Sequence, residues 1–156
     1  MDLHATPDPL TTAEGVAEFV VLAELSTALS ERLGGWSTDG ADPDSSATMA
    51  SLAARLDEHS TWWTGRIPES VLLEGERTAA SGSGRLAEVL GLLDVAASDR
   101  RAAVEPVLDR RAAVEPVLDR LVAYLVALAE RLSPLGDAPA LRTIRLVLAD
   151  LEDRPR

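Results

Sequence analysis

Apolar residues recur at helical spacing along most of the chain, in stretches set apart by Gly, Pro and Ser. The first stripe is Leu22, Leu25, Leu29 and Leu33, with Phe19 at its edge. Thr11, followed three residues later by Glu14, is a capping-box signature, so a helix is expected over 12–33 with Gly34-Gly35 as its stop. A second stripe, Met49, Leu52, Leu56, Trp63 and Ile67, predicts a helix over 46–67 ended by Pro68. A third helical pattern runs with interruptions over 85–132. A fourth, over 138–153, carries Leu141, Ile144, Leu148 and Leu151, with Asp137 placed to cap it and Pro139 in its first turn. Residues 1–11 read as a flexible polar arm and 12–156 as one domain. Between the second and third helices, Val71-Leu72-Leu73 can pack locally and Ser81-Gly82-Ser83-Gly84 reads as flexible. That run is no phosphate loop, because no Gly-Lys-Ser/Thr follows it.

The third pattern contains a tandem duplication: residues 101–110 and 111–120 both read RAAVEPVLDR. Ten added residues turn everything beyond them by about −80°, at about 100° per residue, and lengthen a helix by about 15 Å. Downstream, Val117, Leu118, Leu121, Leu125, Leu128 and Leu132 share one face with Val114. Upstream, Leu86, Leu90, Leu93, Val104 and Leu108 share another, roughly 90° away. Removing one copy nearly realigns the two, so the parent chain is expected to have had a single copy. Each copy also carries a proline, Pro106 or Pro116, which costs a helix hydrogen bond. The expected result is a long, kinked third helix with one copy partly projecting. Looping-out and exchange between two protomers are the alternatives.

Composition narrows the class. At 156 residues and 46% hydrophobic, the chain can bury one core, and its Ala, Leu and Val with few aromatics favour packed helices over a sheet. A net charge of −11 argues against nucleic acid as a partner. The absence of Cys rules out disulfides, thiolate metal sites and a Cys nucleophile. With no signal-peptide pattern and no membrane-length apolar run, a cytoplasmic protein without membrane partners is expected. Arg is the sole long basic residue, and Lys, Asn and Gln are absent, a bias of GC-rich coding that points to a bacterial source.

Three ionisable residues fall on apolar faces: Glu18, His59 and Glu152. In an up-down-up-down bundle all three lie roughly 20–22 Å from the end holding the 34–45 and 133–137 loops. A carboxylate, an imidazole and a carboxylate in one layer suit iron, manganese or zinc. The same residues, joined by Arg145, could instead form a hydrogen-bonded core polar cluster. Trp63 should pack in the core, while Trp62 at the stripe's edge can rim a pocket or interface. Glu24, Glu31, Glu58 and Asp150 are expected to face solvent. Ser60 and Thr61 adjoin His59, but no assembled nucleophile and base is readable.

With these features the chain resembles the ferritin-like superfamily. The likeness rests on the first helix with Glu18, on LAARLDEHSTWW, and on SPLGDAPALRTIRLVLADLED. The resemblance implies an all-α, up-down-up-down four-helix bundle, here with a long, proline-kinked third helix carrying the duplication. Di-iron members supply one Glu from each of two helices and a Glu-x-x-His pair from each of the other two. Glu18 matches the first helix's Glu, and His59 the second helix's His. The chain departs from the pattern in having Leu56 three before His59 and Ala149-x-x-Glu152 on the last helix. On the third helix, Glu115 or its twin Glu105 lies off the inward face. A complete di-metal centre and its cofactor are therefore not expected, which implies a binding or structural module. The alternative is a metal-dependent oxidoreductase or hydroxylase holding iron, or another divalent metal, on Glu18, His59 and Glu152, with Glu115 a remoter candidate. A homodimer through apolar surface exposed by the misregistered helix is a further expectation.

Overall fold

The computed structural model describes residues 7–38, 43–82, 91 and 110–154. Regular structure among these residues is helical throughout, with no strand: α1 (Thr12–Ser37), α2 (Pro43–Thr64), a 3-10 turn (Val71–Leu73), α3 (Glu74–Ala80), α4 (Arg110–Glu130) and α5 (Ala138–Glu152). No described helix is long and apolar enough to cross a membrane.

The capping box forms. Thr11 Oγ1 accepts from the Glu14 amide at 3.2 Å, and the Glu14 carboxylate accepts from the Thr11 amide at 2.8 Å. The Thr11 amide, joined by the Thr11 hydroxyl at 2.9 Å, holds the Glu14 carboxyl below its ordinary pKa. The expected stop at Gly34-Gly35 does not occur; α1 continues to Ser37. Neither glycine takes a positive φ, and Trp36 beyond them packs against the core, so continuing the helix gains burial. Nor is the N-terminal arm loose throughout: Leu10 packs on the core, and its amide donates to the Arg131 carbonyl at 3.0 Å.

α2 lies antiparallel along α1, because successive contacts run in opposite senses along the two helices. Ser30 Oγ donates to the Ala53 carbonyl at 2.8 Å, Ser60 Oγ to the Ala23 carbonyl at 3.1 Å, and Phe19 stacks on Trp63 at 6.2 Å. Small residues at this seam, including Ala23, Ser26 and Ala53, let the backbones approach. After α2, the 3-10 turn leaves Val71 and Leu72 80% and 90% exposed, so the local packing expected of them is not made. Leu73 and Ala80 instead rest on Val16 and Val20 of α1. Glu24, expected to be merely solvated, accepts from Ser81 Oγ at 2.6 Å and from the Gly82 amide at 2.9 Å. α3 thus climbs alongside α1.

α4 and α5 form an antiparallel hairpin. Val114, Val117, Leu118, Leu121, Leu125, Leu128 and Leu132 are all buried, the face expected downstream of the duplication. Complete burial of one such Leu stabilises by about 1.5–3 kcal/mol relative to exposure. Pro116 sits inside α4 on its exposed side. The second copy therefore belongs to a core helix. Residues 101–109, with Pro106 and the surface on which a homodimer was expected, lie outside the described residues, as does the join of the expected 85–132 helix.

The helix directions differ from up-down-up-down. α4 ends where α1 begins, as the bond from Leu10 to Arg131 requires, so α4 runs parallel to α2. α5 runs parallel to α1 and antiparallel to α2, with Asp150 beside His59 and Arg142 lining a cleft with Trp62. The turn over 133–137 consequently lies at the opposite end from Ser37 and Pro43.

Candidate functional site

His59 is the most buried polar residue described, at 0% exposure, between Leu56 and Trp63 on the inward face of α2. Its Nε2 lies 3.0 Å from Asp150 Oδ2 on α5, and the carboxylate thereby selects the tautomer with its proton on Nε2. Nδ1 is buried without a hydrogen-bond partner. Protonating the ring would place a second, unsatisfied donor there. Burial, the leading influence, holds the His59 pKa below its ordinary value, partly offset by the bond and charge of Asp150 and by the charge of Glu58. His59 is accordingly a neutral imidazole at pH 7.

Arg55, one turn before His59, completes the cluster. Its Nη1 donates to the Asp150 main-chain carbonyl at 2.8 Å, and its Nη2 lies 3.8 Å from Asp153. A guanidinium at the end of α5 also opposes the negative end of that helix's dipole. Trp62, half-buried, covers the other side of the imidazole, with ring centroids 5.3 Å apart.

The other candidate residues are not gathered around His59. Ser60 pairs with Ala23 and Thr27, so the His59 layer meets α1 well above Glu18. Six residues lower, the half-buried Glu18 is roughly 9 Å nearer the bottom of the bundle. Glu152 and Arg145 are exposed on α5. Two residues turn a helix by about 200°, so when Asp150 faces α2, Glu152 faces away. Glu115 is engaged elsewhere: its Oε2 accepts from Arg154 Nη2 at 2.8 Å and from Nε at 3.1 Å. Arg154, 5% exposed, also donates to Asp119 and to the Leu151 carbonyl, and these carboxylate bonds outweigh burial to raise its pKa. No cluster of three His, Asp or Glu residues able to hold a metal ion forms among the described residues.

Arg55, Asp150 and Arg154 are the residues that sequence alone does not single out. For Asp150 and Arg154 the signal is the spacing Ala140, Thr143, Val147, Asp150 and Arg154, a helical stripe whose last two members are polar.

Trp62 also borders a cleft of about 700 Å³ between the end of α2 and the start of α5, which Arg66, Arg142 and Leu146 line with it. No protein-family model, curated protein or solved structure matches this chain.

Proposed function

We propose that this chain is a ferritin-like helical bundle that has lost its di-metal centre and serves as a binding module. The carrying observation is the His59–Asp150 pair. His59 ends the segment Leu56-x-x-His59 on α2, and Asp150 ends Val147-x-x-Asp150 on α5. A di-metal bundle places a Glu-x-x-His on each of two helices. Here both leading positions are apolar side chains, Leu56 and Val147, each 1% exposed. The layer that would hold bridging carboxylates is filled with hydrocarbon, and the remaining imidazole and carboxylate bond to each other.

The rival reading, an iron-dependent oxidoreductase using Glu18, His59 and Glu152, has the unpartnered His59 Nδ1 in its favour. Purification from iron-supplemented medium, with bound metal measured by mass spectrometry, tests the two. The binding-module reading expects substoichiometric metal. Near-stoichiometric iron that disappears in His59→Ala would overturn it.

A further inference from the structure

The cleft at the lower end of the α2–α5 seam carries charge that the chain leaves unanswered. Its lining includes two arginines, Arg66 and Arg142, and no acidic side chain. In a protein with 26 acidic residues against 15 basic ones, that local excess runs counter to the overall surface. Arginines that the fold uses structurally are satisfied: Arg55, Arg77, Arg131 and Arg154 all donate to main-chain carbonyls or carboxylates. Arg66 differs. It is half-buried, its Nε is shut off from solvent without a hydrogen-bond partner, and it has no ion-pair partner among the described residues. Arg142, on the rim, likewise has none. The guanidinium groups of Arg66 and Arg142 line the cleft with no carboxylate in its lining, so an oxyanion there would meet charge-assisted donors.

Apart from Thr61 and Thr143, the rest of the lining is apolar. Trp62 is held by its tilted contact with the buried His59 ring, and Leu146, 48% exposed, faces the same space. An indole with its orientation fixed offers a platform for a planar ring. The volume of about 700 Å³ is that of a small-molecule site.

We infer that this cleft binds a small planar aromatic anion, its carboxylate or phosphate held by Arg66 and Arg142 and its ring laid against Trp62 and Leu146. The inference rests on reading the chain as a binding module, and it gives that module a ligand class. Its site lies apart from the pairing of His59 with Asp150, so the two readings fail separately.

The test is calorimetric titration of the full chain with 2-naphthoate, 2-naphthyl phosphate, neutral 2-naphthol and inorganic phosphate. At least one naphthyl anion should bind, with 2-naphthol and inorganic phosphate both weaker. Arg66→Met and Arg142→Met, which keep an unbranched apolar side chain, should each weaken the naphthyl anion by about tenfold, as loss of a charged hydrogen bond predicts. Thermal melts of both variants establish that they are folded, and Arg145→Met, on the exposed part of α5, serves as the control that leaves binding unchanged. The carboxylate and phosphate arms decide which head group is preferred. Equal binding of 2-naphthol, equal binding of inorganic phosphate, undiminished binding in both folded arginine variants, or no binding of either naphthyl anion would overturn the inference. Iron in the metal assay would remove the binding-module reading and leave these titrations to stand on their own.

Discussion

His59 Nε2 and Asp150 Oδ2 meet at 3.0 Å across the α2–α5 seam, the imidazole side chain wholly buried and the carboxylate 36% exposed. The contact ties two helices remote in sequence at one height, and it spends the histidine's hydrogen-bonding nitrogen on protein. The exposed edge of Asp150 keeps the carboxylate hydrated, so its cost of burial is modest.

A pH dependence follows from the same contact. Burial holds the His59 pKa below its ordinary value of 6.5. Between the two values the unfolded ring binds more protons than the folded one, so stability rises with pH there. The contribution is complete above 6.5 and is lost on acidification below it. Melting temperatures between about pH 7.5 and about pH 5 should fall as this linkage requires, and His59→Gln should show a shallower fall. An unchanged slope in His59→Gln would refute the assignment.

Pro116 offers a stabilising substitution. It lies in the interior of α4 on the exposed side, where its ring removes one main-chain donor and packs against nothing essential. Pro116→Ala should raise stability by up to about 3 kcal/mol, read as a higher denaturant midpoint with an unchanged slope.

Two leucines at opposite extremes of burial test the core. Leu118, 0% exposed, should cost about 2–5 kcal/mol when replaced by Ala. Leu72, 90% exposed, should change stability by no more than about 0.5 kcal/mol when replaced by Ser. Chemical denaturation of both variants supplies the comparison.

Arg154→Ala should destabilise by about 2 kcal/mol, because it leaves Glu115 and Asp119 without their shared guanidinium and the Leu151 carbonyl without a donor. Melting at low and high salt separates this buried contact from surface charge effects, since the loss should persist in high salt.

Helices were legible wherever the information is local. The Thr11–Glu14 cap, the bounds of α5, the inward placement of His59 and the buried face from Val114 to Leu132 all follow from spacing along one helix. Helix order is not local. The reversed run of α5 shifts the height of Glu152, whereas Glu18 and His59 miss a common layer because α1 runs on past Gly34 and Gly35 to Ser37, which changes its register against α2. Asp150 reads as solvent-facing when the stripe of α5 is centred on Leu141 and Leu148, both only half-buried. Its true centre is Ala140, Ile144, Val147 and Leu151. Gly34 and Gly35 misled for another reason: glycine permits a helix to end, and burial of Leu33 and Trp36 decided otherwise.

The sequence that clasps Arg154 is written twice in this chain. Glu105 and Asp109 repeat the spacing of Glu115 and Asp119 within an identical decapeptide, while Arg154 is held by the second pair. Excising either copy leaves the same gene product, with one clasp and one set of core valines and leucines intact. Because either excision leaves one decapeptide directly ahead of Leu121, the residues that clasp Arg154 and bury Val114, Val117 and Leu118 survive both.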